Sequence, residues 1–328
     1  MISRLKIILV TLLAYSYDFF RFIRFAHIFT PTSRQSTRSA HIYRISHALE
    51  KGMALREPRP GFGREKTIAL LKFIDQYIAL YGIDRSVIVG YCSIKKLHAF
   101  HNQDQVWCTT VAEELGRLEQ EYPQLLAIKC DDVGNRILKL SDISQNAPVD
   151  PERFFNDRCS VRQFKKAAQV PEELLQRAAK IAQKAPSVCN RQSGRLHLYT
   201  DKQKIERILK LQDGNTGFGN ECGALAVITA DLSCFYKVGE RNQAFVGGGL
   251  FAMTFAYALH ALSVGTCFLN WSMGMRSDLR MRELLKLPEN EVIITLLAIG
   301  ALDDEFVVAR SPRRELAEVY HLNEELNA

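Results

Sequence analysis

The stretch at residues 247–264, GGGLFAMTFAYALHALSV, constrains this chain more than any other. It has the length of a helix, yet apolar residues fall on nearly every face, so no side of it suits water. Such a helix has to be enclosed, either in a core or at a subunit interface. It is short, and rich in small residues, for a bilayer span of roughly 20 apolar residues. A second run, VIITLLAI at 292–299, is continuous and largely β-branched, which reads as a central strand covered on both faces.

Around these two elements the chain changes grammar. Residues 3–27, 36–54, 64–81, 84–102 and 109–121 repeat apolar positions at three- and four-residue spacing and are expected to be helices. The sequence PRPG at 58–61 separates the second from the third, and residues 125–129 read as a short strand. A polar lead then ends in Ala147-Pro148-Val149-Asp150-Pro151. Beyond it helices at 171–184, 203–211 and 278–286 alternate with strands at 197–200, 224–229 and 292–299. A length of 328 residues suits two domains. The expectation is a mainly helical basic domain over 1–150 and an α+β domain over 151–328.

The charge is as unevenly distributed as the pattern. Residues 1–66 hold 12 Lys and Arg against 4 Asp and Glu, whereas the remainder holds 31 against 32. The whole basic excess therefore lies at the amino-terminal end. No basic module with interleaved aromatics accompanies it, so no nucleic-acid partner is expected. An acidic partner, anionic lipid or solvent would face such a segment. Its first helix carries an apolar run at 7–15 (IILVTLLAY) behind Arg4 and Lys6, with no small-x-small cleavage site after it. The run is too short to span a bilayer. It reads as a core-docked helix or as an interfacial one, with peripheral membrane contact through residues 1–27.

Eight cysteines stand at 92, 108, 130, 159, 189, 222, 234 and 267, with no CxxC pair and no histidine at zinc spacing. They read as reduced, inert thiols of a cytoplasmic protein, peripheral at the inner membrane face if the first helix binds lipid. His47 and Glu50 lack the second pair that a helix-borne metal site requires, so no metal is expected. His260 reads as a satisfied core histidine, and Gly247–Gly249 as a close-packing device rather than a phosphate cradle.

Three segments concentrate basic and hydroxyl groups where the chain turns. RCSVRQF at 158–164 places Arg158, Ser160 and Arg162 so that one anion could meet two guanidinia and a hydroxyl. PSVCNRQS at 186–193 is a polar turn after a helix. SPRR at 311–314 follows the last strand.

In this order, and together with SVGTCFLNW at 263–271, these segments resemble the nitroreductase family of flavoproteins over roughly residues 152–320. The resemblance implies a mixed sheet wrapped by helices and a homodimer with two FMN sites between the subunits. Arg158, Ser160 and Arg162 would sit near the flavin's phosphate, ribityl chain and pyrimidine edge. Ser311 and Arg313 would complete the phosphate grip. Pro186, Ser187, Asn190 and Gln192 would reach the same flavin from the partner chain. Leu269, Asn270 and Trp271 would lie by the isoalloxazine, although Trp271 reads equally well as a core aromatic. The flavin would carry the redox chemistry, so no catalytic side chain is assigned. NAD(P)H would donate hydride, and a small-molecule acceptor would take it in a ping-pong cycle.

Two departures stand out: Ser193 replaces the family's usual proline, and Gly194-Arg195 the aromatic after it. They keep open an alternative, a non-catalytic flavin-binding or accessory protein that docks to a membrane or partner through its basic amino-terminal domain. HALEKG at 47–52, Phe62-Gly63, ERNQ at 240–243, GGLF at 248–251 and LNWS at 269–272 further resemble the nitroreductase-type proteins of bacterial polysaccharide biosynthesis clusters.

Overall fold

The computed structural model describes residues 2–26, 34–55, 58–59, 61–101, 105–137, 148–166, 168–309, 311 and 313–323. The amino-terminal half is helical: α1 (Ile2–Phe25), α2 (Gln35–Met53), α3 (Arg64–Tyr81), α4 (Arg85–Phe100) and α5 (Gln105–Glu121). Helices α2 to α5 enclose a core of their own around Ile42, Leu49, Leu71, Ile74, Tyr91 and Ile94. Gly90 is what lets α4 close on its neighbours. A Cβ there would stand 2.8 Å from both Ile42 and Ile74. Asp84 starts α4 by accepting from the Ser86 and Val87 N–H groups, and Tyr77 Oη donates to it from α3.

Two expectations fail in this half. Residues 125–129 form no strand; a 3-10 turn, Pro123–Ala127, takes most of that stretch. Pro123 removes a ladder donor, and Leu125 is drawn into the helical core instead. Nor are all the cysteines reduced. Cys92, on the buried face of α4, is disulfide-bonded to Cys130, with Cα atoms 5.3 Å apart. A separation of 38 residues leaves no local spacing from which the pairing could be read. Cys159, Cys189, Cys222, Cys234 and Cys267 are free thiols.

The α+β half begins with α6 (Pro151–Asp157), capped by Asp150, and continues with α7 (Glu172–Ala182) and α8 (Lys202–Leu209). Then come α9 (Gln243–Ala261) and α10 (Met275–Leu285). Its sheet has four strands, β1 (Gly194–Tyr199), β2 (Ala224–Asp231), β3 (Val264–Asn270) and β4 (Glu291–Ala301), in the order β1-β2-β4-β3. All three pairings are antiparallel among the described residues, where a mixed sheet was expected. Alternate residues of β2 feed two cores. Leu225 and Val227 face α8 and α10, whereas Ala224, Ala226 and Ile228 face α7 and α9. Strand β3 begins at Val264, inside the stretch that reads as helix, because Leu262–Ser263 turn the chain and Ser263 takes a φ of 58°.

Helix α9 is not enclosed on every side. Gly248, Ala252, Phe255 and Leu259 pack on the sheet, and Gly248 lies so close to Ile294 that a Cβ would stand 2.5 Å away. Its opposite face leaves Phe245, Val246 and Leu250 exposed.

Helix α1 docks only from Tyr17 onward. Tyr17 Oη donates to Asp278, Arg21 donates to the carbonyls of Glu289 and Glu291, and Phe25 and Ala26 enter a core with Leu232, Phe235 and Ala244. Asp278 also accepts from Trp271 Nε1 and Arg282 Nε. Burial alone would raise its pKa, but Arg282, Tyr17 and Trp271 outweigh burial and hold it below 3.8. A lowered folded-state pKa contributes stability that is present above the unfolded value and lost as pH falls through the folded one. Asp278→Asn is therefore expected to cost about 1–3 kcal/mol at neutral pH. Urea denaturation should show that difference shrinking below pH 3.8; an unchanged difference in acid would contradict the assignment.

Candidate functional site

The irregular segment 158–165 crosses from β3 to the end of β4. The Val161 N–H donates to the Thr266 carbonyl and the Lys165 N–H to that of Ala301. Val161 and Phe164 are buried in the sheet core, and Phe164 fits because Gly300 has no Cβ, which would stand 2.4 Å from its ring. An irregular loop, one of the two conformations considered from the sequence, carries Arg158, Ser160 and Arg162 past β3. They converge at the Cys267 thiol. Burial raises that thiol's pKa, against the pull of the Arg162 charge, a hydrogen bond with Ser160 and the Arg158 charge. The Arg162 guanidinium also lies 5.9 Å from the centre of the Phe218 ring.

Among the described residues no carboxylate pairs with Arg158, Arg162 or Arg313 within 4.0 Å. A cavity of about 540 Å³ opens at this edge between Arg158, His260, Thr266, Phe306 and Val308. Gln163 Oε1 accepts from the Val307 N–H and ties the chain leading to Ser311 against the segment. Ser311 and Arg313 themselves are exposed, with Arg313 Nη1 donating to the Ser311 carbonyl. His260 is half-buried at that cavity rather than in the core, and its Nε2 bonds the Phe154 carbonyl.

The turn at 186–193 is strained. Cys189, Asn190 and Gln192 take φ values of 49°, 52° and 49°, a left-handed region costly for residues with a Cβ. Its anchor is Arg191, which sequence reasoning missed. The buried guanidinium donates to the Val188 and Cys234 carbonyls and forms a two-pronged pair with Glu240 at 2.6 and 3.2 Å. Burial would raise the Glu240 pKa, but Arg191 and the N–H groups of Tyr236 and Lys237 hold it below 4.5. The only sequence signal was an Arg inside the motif, 49 residues from its carboxylate. Ser187 Oγ accepts from the Gln192 N–H, and Gln192 Nε2 donates to the Asn190 carbonyl. A cavity of about 300 Å³ lies under the turn, lined by Pro186, Ser187, Gln192, Gly247 and Phe251.

The second family departure, Gly194-Arg195, has structural uses here. A Cβ on Gly194 would stand 2.8 Å from Phe251, and Arg195 pairs with Asp231 at 3.1 Å.

At the end of β3, Leu269 is buried, and the Asn270 carbonyl accepts from Gln212 Nε2. Trp271 is half-buried and held by Asp278. The structure thus brings Arg158, Ser160 and Arg162 together beside β3, on whose end Leu269–Trp271 lie. It does not bring Pro186, Ser187, Asn190 and Gln192 to them. That turn leads into β1, at the other edge of the sheet and at the end opposite the three residues, which is the end where β3 finishes at Asn270. At about 4.8 Å per strand and 3.3 Å per residue, the two corners lie roughly 30 Å apart.

Residues 156–216 match the family model described as Nitroreductase family, a span that covers the first two motifs. The α+β half is also similar to solved structures. One is an FMN-dependent nitroreductase from Clostridium difficile R20291, 22% identical over 52% of this chain and 98% of that one, with a TM-score of 0.45. Another is NfrA2 of B. megaterium, 25% identical over 53% and 74%, with a TM-score of 0.46. A nitroreductase family protein from Streptococcus pneumoniae TIGR4 is 17% identical over 52% and 98%, with a TM-score of 0.45. No curated protein sequence matches the chain.

Removing the anchor of the strained turn tests its role. Glu240→Gln leaves a buried guanidinium uncompensated and is expected to cost about 2–4 kcal/mol in chemical denaturation. A loss near zero would mean that the turn is held by other contacts.

Proposed function

We propose that the chain is an FMN-dependent oxidoreductase of nitroreductase type, acting as a homodimer with each flavin site shared between two copies. One observation carries the flavin reading. Arg158, Ser160 and Arg162 converge at the Cys267 thiol, and the two arginines meet no carboxylate among the described residues. Guanidinia left without acidic partners are suited to a phosphate, which the fork of an arginine binds by two N–H groups. The residues fit an FMN phosphate and pyrimidine edge, with Ser311 and Arg313 adding to the grip. Bound FMN supplies two-electron hydride chemistry with no protein nucleophile or metal. The chain's own residues would bind and orient it. Arg162 would stabilise negative charge near the ring, and the buried Leu269 and half-buried Trp271 would exclude water beside it. NAD(P)H is the proposed donor and a small molecule the proposed acceptor.

The sharing between copies is supported by distance and by α9. A ligand held by Arg158 cannot also meet Asn190 and Gln192 of its own chain some 30 Å away. The exposed face of α9, with Phe245, Val246 and Leu250, is the apolar surface a second copy would cover. Residues 151–328 would then form the flavin unit and 1–150 a separate unit around its own core. A role in polysaccharide biosynthesis is supported by the sequence resemblance of residues 47–52, 62–63, 240–243, 248–251 and 269–272.

The alternative of a flavin-binding accessory protein draws on Gly194 and Arg195, both committed to packing and pairing where the family has an aromatic. It predicts a bound flavin that stays oxidised under anaerobic NADPH, whereas the enzyme's flavin band would bleach.

Two results are expected of variants. Arg158→Ala should weaken FMN binding by about tenfold to a hundredfold, the worth of a charge-assisted contact. Fluorescence titration checks this, and unchanged affinity would remove Arg158 from the site. Leu250→Arg should yield monomers in light scattering and lose bound FMN at the same time. A monomer that keeps its flavin would refute the shared site.

A further inference from the structure

The first turns of α1 carry a surface unlike any other among the described residues. Ile8, Leu9, Val10, Thr11, Leu12 and Leu13 are all exposed, the five aliphatic ones by 52–59%. Consecutive helical residues step by about 100°, so six in a row cover the whole circumference. This is an apolar rod, not an amphipathic face.

The chemistry of the occupant follows from that geometry. A groove on another protein dries one stripe of a helix and leaves the rest in water. The hydrocarbon of a lipid leaflet dries every side at once. The flanks agree with lipid. Lys6 precedes the rod, and residues 1–66 carry 12 basic against 4 acidic residues. Tyr15, Phe19 and Phe20 are exposed in the next turns, where aromatic rings meet headgroups. From Ile7 to Tyr17 no residue is charged. These eleven residues extend about 16 Å, near half of a roughly 30 Å hydrocarbon core. The depth is therefore that of a single leaflet. The root of the rod is fixed, since Tyr17 bonds Asp278 and Arg21 bonds the Glu291 carbonyl.

We propose that residues 8–15 of α1 insert into one leaflet of an anionic membrane and hold the sheet unit at its surface. This stands apart from the flavin reading and does not require it. The test is flotation of the full chain with vesicles of zwitterionic lipid alone or mixed with phosphatidylglycerol, beside the double variant L9D/L12D. Both leucines already face water, so the variant should keep its melting temperature and elution volume. The wild-type protein is expected to float with the anionic vesicles, and the variant to lose about tenfold or more of its partitioning. Wild-type protein left at the bottom of the gradient overturns the proposal, as does a variant that floats equally well. If the wild type does not float and the variant shrinks in light scattering, the occupant is a second copy instead.

Discussion

Three parts of the chain meet at the carboxylate of Asp278. Tyr17 reaches it from α1, Trp271 from the end of β3, and Arg282 from one turn along its own helix. Arg282 and Arg21 go on to bond the Glu291 carbonyl at the start of β4. One buried charge therefore fixes the root of α1, the orientation of Trp271 and the entry of the central strand. A buried carboxylate is costly unless fully paired, so none of these partners can leave without penalty to the others. The proposed membrane anchor and the residue proposed to lie beside the flavin thus rest on the same atom pair.

The sheet does a different kind of work, which is separation. It places a segment whose two arginines pair with no carboxylate among the described residues at one edge and a strained polar turn at the opposite corner. Packing of α7 and α9 on one face and α8 and α10 on the other leaves no route for the two to meet within one chain. The exposed side of α9 offers a way to satisfy both constraints. A second copy covering that side buries Phe245, Val246 and Leu250 and can bring its own turn to the first chain's arginines.

Much of this was legible in the sequence, and for identifiable reasons. Helices α2 to α4 follow from periodicity, because each buries a face, and β2 and β4 from continuous apolar runs covered on both faces. Arg158, Ser160 and Arg162 stood out because two guanidinia and a hydroxyl fall close together where the chain turns between elements, and the segment is irregular. Strand β3 was hidden by its apolar continuity with α9; the reversal depends on Leu262–Ser263, which carry no strong turn signal. The disulfide from Cys92 to Cys130 and the pair from Arg191 to Glu240 were invisible for a common reason. Both join residues far apart in sequence, and only the fold brings them together. The separation of the two half-sites could likewise be known only from strand order.

The shared flavin site is the central claim, and subunit mixing tests it most directly. A chain carrying Arg158→Glu lacks the phosphate side, and one carrying Asn190→Ala with Gln192→Ala lacks the partner side. Each alone should bind FMN poorly. Co-refolded, the two should form heterodimers in which one site draws both intact halves from different chains, so FMN binding returns to part of the wild-type stoichiometry in equilibrium dialysis. Mixtures that bind no more FMN than the separate variants would show that the halves do not belong to one site.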